Sequence, residues 1–118
     1  MIRWLEGVFK RFVAYWRGDL RVVQHAGDTL PEHIQRRHLI LMIDAGEHWS
    51  VGFQCPCGCG DIIELLLLPA VRPHWALSVD GLGRPTLYPS VWRTTGCRSH
   101  FWLRQGRTVW VGRKPRSH

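Results

Sequence analysis

The 118-residue chain has no uninterrupted apolar run of about 18 residues, so its sequence offers no convincing membrane-spanning helix. Its first residues lack the apolar block and small-residue cleavage site of a secretory signal, which makes a cytoplasmic setting the expectation. No internal repeat recurs at solenoid periods, and this excludes a stacked-repeat architecture. Acidic side chains are scarce: nine Asp and Glu stand against sixteen Lys and Arg, for a net charge of +7 with neutral His. Lysine is scarcer still, since fourteen of the sixteen cations are Arg, whose planar guanidinium suits carboxylate and phosphate partners. With only 21% charged residues against 45% hydrophobic ones and seven Trp, a disordered chain or a coiled coil is also excluded. What remains is one small globular domain with a single modest core.

The residues present divide the chain into three segments. Ile2, Leu5, Val8, Phe9, Phe12, Val13 and Trp16 recur at spacings of three and four, which predicts an N-terminal amphipathic α-helix over 1–18, ending near Gly18. Its apolar face suits docking on the domain or on a second copy; Trp and Phe beside Arg and Lys equally suit an anionic membrane surface. From Asp28 the helical period gives way to short β-like runs separated by Gly and Pro, so 28–112 reads as a mainly β small domain. Strands are expected at His38–Ile43, Trp49–Gln54, Asp61–Leu68, Trp75–Val79, Thr86–Tyr88, Phe101–Arg104 and Arg107–Val111. Gln105-Gly106 predicts a tight hairpin between the last two, with Phe101, Leu103 and Trp110 on one face. Residues 113–118 form a basic tail without large apolar side chains.

The four cysteines carry the strongest chemical signal. Cys55-Pro56-Cys57-Gly58-Cys59-Gly60 falls between two expected strands, at a hairpin tip where Pro and Gly let successive thiolates turn toward one ion. About forty residues later, Gly96-Cys97-Arg98-Ser99-His100 offers a Cys and a His from a second turn, which together meet the needs of a tetrahedral zinc (Zn2+) site. Cys55, Cys57, Cys59, Cys97 and His100 are thus five candidates for four positions. Either one Cys is a bystander, or the site is all-thiolate and His100 is released for other work.

These residues also carry a resemblance. Phe53-Gln54-Cys55-Pro56-Cys57-Gly58-Cys59-Gly60, Trp75, Leu87-Tyr88-Pro89-Ser90-Val91 and Cys97-Arg98-Ser99-His100-Phe101-Trp102-Leu103, followed by Gly106 and Trp110, resemble in content and order a small bacterial zinc-ribbon-like family. That family is often encoded beside ubiquitin-like conjugation genes, and the likeness covers roughly residues 30–111. It implies a role in a ubiquitin-like pathway, in the setting of antiviral defence, as a peptidase that trims a precursor or removes a conjugate. The partners implied are the ubiquitin-like protein or its conjugation enzymes.

A peptidase needs a nucleophile and a base, or a metal-bound water and an acid/base group. Ser90, between Pro89 and Val91, is one candidate nucleophile, with His100 or His48 as base. An open zinc site served by Glu47, Glu64 or Asp61 is a second arrangement, although no HExxH spacing accompanies it. A Cys97 thiolate paired with His100 is a third, in conflict with using both as ligands. His48 also qualifies as a hydrogen-bond partner of a metal-bound thiolate. Arg93, Arg98, Arg104 and Arg107, with Trp92 and Trp102, form a basic patch suited to an acidic protein tail or to nucleic acid. The alternative function is therefore a non-catalytic zinc ribbon that binds nucleic acid or a conjugation enzyme.

Overall fold

The computed structural model of the protein describes residues 19–27 and 29–112. The expected helix over 1–18 and the basic tail 113–118 lie outside the described residues. Within them the chain is mainly β, with strands β1 (Arg21–Ala26), β2 (His38–Asp44), β3 (Glu47–Gln54), β4 (Ile62–Leu66), β5 (Ala76–Val79), β6 (Pro85–Tyr88), β7 (Val91–Trp92), β8 (His100–Arg104) and β9 (Arg107–Trp110). They form a four-stranded sheet in the order β1-β2-β3-β4, a β5-β6 hairpin and a three-stranded sheet β7-β8-β9.

The apolar pattern accounts for the first sheet. In β4, Ile63 and Leu65 point inward while Ile62 and Glu64 face solvent, the period of two expected of a half-buried strand. In β2 the run Leu39-Ile40-Leu41-Met42 is buried throughout, because the strand is covered on both faces. Leu39 and Leu41 enter the main core with Val51 and Phe53 of β3. Ile40 and Met42 face the other way, toward Ile34, Leu30 and Trp49. On that second face Gly52 admits Leu30: a Cβ at Gly52 would lie 2.6 Å from the leucine side chain. Ala45 and Gly46 close the β2–β3 hairpin with φ of 51° and 78°, the left-handed pair that matches strand twist in a two-residue turn.

The second half of the chain closes over this sheet. Leu87, Val91, Phe101 and Leu103 are each at most 2% exposed and complete the main core. Phe101 meets Phe53 edge to face at 6.3 Å and Trp110 at 5.7 Å, so the expected shared face of the last hairpin is observed. Its turn is the expected Gln105-Gly106, with φ of 49° and 76°. Glycine is required there twice over, because a Cβ at Gly106 would sit 2.5 Å from the Leu20 carbonyl oxygen. Asp80 builds the β5–β6 turn: its Oδ1 accepts the backbone N–H of Leu82 and Arg84, and its Oδ2 accepts Arg84 Nε at 2.7 Å. Burial works to raise the Asp80 pKa, but these bonds outweigh it and hold the carboxyl below its ordinary value.

Two strands escape the sequence pattern. β1 pairs in parallel with β2 ahead of the expected start of the β segment, and of its six residues only Val22 is half-buried. An edge strand so exposed has no alternation to read. β7 has two residues, too short for any period. It nonetheless sets the position of one half of the candidate active site.

Candidate active site and metal centre

Two turns converge at one end of the core. The connection from β3 to β4 is held by Cys55 N–H donating to the Asp61 carbonyl at 2.8 Å, with Gly58 and Gly60 at φ of 90° and 87°. The β7–β8 connection is held by Arg93 N–H donating to the Ser99 carbonyl at 2.8 Å. These turns bring the Sγ atoms of Cys55, Cys57, Cys59 and Cys97 within 4.8 Å of one another. All four are free thiols; Cys55 Sγ lies 3.4 Å from Cys57 Sγ and 3.6 Å from Cys97 Sγ. Sulfurs on a tetrahedral ion with bonds of about 2.3 Å stand about 3.8 Å apart, so the spacing fits a single four-coordinate metal.

The thiols differ in acidity for identifiable reasons. Burial pushes Cys57 up to about 12, reinforced by its contact with Cys55. Burial also works to raise Cys97, but hydrogen bonds from the Ser99 side chain and backbone, then from Cys55 and Cys57, bring it down to about 6. The fully buried Ser99 places its Oγ 3.1 Å from Cys97 Sγ and 3.6 Å from Cys55 Sγ. Arg93 spans the cluster's open side: Nη1 donates to Cys97 Sγ at 3.2 Å and Cys59 Sγ at 3.6 Å, and Nη2 to Asp61 Oδ2 at 3.0 Å. A divalent ion with four thiolates is net negative, so a guanidinium suits that position. The supporting residues are therefore Ser99 and Arg93, which the sequence alone did not single out for this task. His48 is exposed at the far end of β3, about 20 Å of extended chain from Cys55, and its expected role beside a thiolate is not supported.

The fifth candidate ligand takes another direction. The His100 imidazole is not part of the thiol cluster, and its Nε2 lies 3.0 Å from Ser90 Oγ. The strand register explains the meeting. Val91 pairs with Phe101 and Trp92 with His100, so the buried Val91 and Phe101 anchor the strands from below. Trp92 and His100 consequently share the outer face, where their rings stack at 5.0 Å with an interplanar angle of 13°. Trp75 Nε1 donates to the Ser90 carbonyl at 3.3 Å and holds the serine backbone from β5's side. Both Ser90 and His100 are half-buried, accessible to a substrate yet packed.

The other arrangements do not assemble. Asp61 is engaged by Arg93, Glu64 faces solvent from β4, and Glu47 lies with His48 at the distant end of β3. In the basic patch, Arg93 turns inward to the thiols, Arg104 lies 4.9 Å over the Trp102 ring, and Arg98 and Arg107 are exposed. A protein-family model described as bacterial ubiquitination-like system serine protease (BubE) matches residues 26–111. No curated protein and no solved structure matches the chain.

Proposed function

Because this chain belongs to the BubE family of serine proteases of a bacterial ubiquitination-like system, we propose that Ser90 is its nucleophile and His100 its general base. The reaction is cleavage of a ubiquitin-like precursor or its conjugates in the bacterial cytosol. The observation that carries this reading is the 3.0 Å separation of Ser90 Oγ and His100 Nε2. A serine hydroxyl is a weak nucleophile until a neighbouring base takes its proton, and this distance lies within direct hydrogen-bond reach. With Nδ1 protonated and Nε2 free, the Ser90 hydroxyl donates to the imidazole. As Oγ bonds to the substrate carbonyl carbon, its proton passes to Nε2. The imidazolium then gives that proton to the departing amine or alcohol, leaving an acyl-serine. Water, deprotonated by the same imidazole, cleaves the acyl-serine and restores both residues.

In this reading Cys55, Cys57, Cys59 and Cys97 hold a structural Zn2+, and His100 is released from ligation. Four thiolates fill a tetrahedral ion, so zinc bound there supplies cross-linking of the two turns and no open position for water. The exposed Arg98, Arg104 and Arg107 favour an acidic segment of the ubiquitin-like protein or a conjugation enzyme as partner. A non-catalytic module on nucleic acid would instead show binding that weakens by orders of magnitude between low and moderate salt.

The test is incubation of the zinc-loaded protein with the ubiquitin-like precursor of its own genome, read by intact mass, beside Ser90→Ala. We expect the wild type to release the mature tail and Ser90→Ala to slow cleavage by a factor on the order of 10^4 or more. Equal cleavage by both would remove Ser90 from the mechanism.

A further inference from the structure

We propose that Trp92 is a positioning residue of the Ser90–His100 pair, its indole face fixing the imidazole ring toward Ser90 and stabilising the imidazolium formed when the serine loses its proton. The inference rests on the catalytic reading above. In a serine–histidine–acid triad, a carboxylate on the imidazole's second nitrogen does both tasks. Here no Asp or Glu follows Asp80 anywhere in the chain, so strands β6 to β9 carry none. Among the described residues, the hydrogen-bond partner of the His100 side chain is Ser90 alone. Among the described residues the imidazole therefore lacks the usual third group, and what touches it instead is a ring.

The contact is built into the sheet. Trp92 and His100 are direct cross-strand partners, and their rings lie nearly parallel, 13° apart, with centroids at 5.0 Å. A stacked ring limits rotation of the imidazole about its side-chain bonds, which keeps Nε2 on the serine. The electron-rich indole face also attracts a cation more than a neutral ring, so it favours the protonated state that appears during the reaction. Trp92 is 66% exposed, while Val91 beside it supplies the core contact, so core packing does not account for the tryptophan. The other groups on this face oppose or ignore the imidazolium. Arg104 and Arg107 lie toward the far end of β8 and β9 and carry like charge; Tyr88 packs on Trp102, and Val109 of β9 is apolar. Trp92 is thus the group on this face whose chemistry favours a positive His100.

Three variants of the zinc-loaded protein test this: Trp92→Phe, which keeps a ring face, Trp92→Leu, which keeps bulk without one, and Ser90→Ala as reference. NMR of the His100 side chain reads the effect without any substrate. Trp92→Leu is expected to free the imidazole ring, seen as weakened nuclear Overhauser contacts between His100 and Ser90, and Trp92→Phe to keep part of them. In cleavage assays Trp92→Leu is expected to lower kcat about 3-fold to 10-fold with KM little changed, Phe restoring part of the loss. Unchanged His100–Ser90 contacts in Trp92→Leu, or equal behaviour of the Phe and Leu variants, would overturn the inference while leaving Ser90 and His100 in place. Cleavage that survives Ser90→Ala would instead overturn the catalytic reading, whatever the NMR of the Trp92 variants shows.

Discussion

The thiol cluster and the Ser90–His100 pair meet through the stretch from Ser90 to His100, which carries Cys97, but are built by opposite means. The cluster is closed and inward. Its thiols come from two turns, the fully buried Ser99 backs Cys97 and Cys55, and Arg93 donates to Cys97 and Cys59. The pair is half-open, and a strand register and one stacked ring hold it at the sheet surface. The loop from Arg93 to Ser99 joins them: Cys97 lies inside it, with Ser90 and His100 just beyond its ends. In the proposed reading the difference is a division of labour, in which the cluster supplies rigidity and the pair supplies reactivity.

That comparison breaks most sharply if the metal is withdrawn. A structural zinc bound with an apparent free energy of about 10–16 kcal/mol matches or exceeds the entire stability of a domain this size, about 5–15 kcal/mol. Chelation, or Cys97→Ser, is expected to cause loss of the β signal by circular dichroism together with loss of cleavage. Ser90→Ala should leave the fold, the metal content and the melting temperature close to those of the wild type. Elemental analysis that finds a folded, metal-free protein would end the assignment of rigidity to the cluster.

A smaller effect sharpens the same contrast. Ser99→Ala removes the hydroxyl beside Cys97 and Cys55 but keeps the backbone carbonyl that receives Arg93 N–H. Competition with a chromophoric chelator should show metal affinity weakened about 10-fold to 100-fold. With metal saturating, cleavage should stay near wild type, because the β7–β8 register is intact. A collapse of kcat in saturating metal would mean that the two regions are not separable. The smallest effect concerns a third serine, Ser50 of β3, which is 1% exposed and whose Oγ has no hydrogen-bond partner. An unsatisfied buried hydroxyl costs free energy, so Ser50→Ala should be neutral or stabilise by about 1 kcal/mol in denaturant unfolding, with cleavage unchanged. Destabilisation there would show that the hydroxyl has a role in the second core.

Much of the fold was legible from local chemistry. The alternating Ile63 and Leu65, the continuous Leu39–Met42 run and the Gln105-Gly106 turn each encode their element within a few residues, because side-chain period and φ preference are local properties. β1 was not legible, since its pairing with β2 is parallel and nearly all of its side chains face solvent. The site divides in the same way. Three thiols at a hairpin tip announce a metal turn by composition alone, and Cys97 announces its partner turn. Whether His100 joined them depended on which way one ring pointed. That was decided by the pairing of Trp92 with His100, which a sequence does not display when one of the strands has two residues.

By itself, then, the sequence determined a small basic β domain, a pair of turns offering four Cys and His100 as candidate metal ligands, and Ser90 and His100 as chemically competent residues. Tertiary structure alone decided that the four cysteines converge without the histidine, that Arg93 and Ser99 attend them, and that Ser90 Oγ meets His100 Nε2. The physical reason is one of range. Turn and strand propensities act between near neighbours, whereas side-chain meetings at the site are set by strand register and by packing around Phe53 and Phe101, residues far apart in the chain.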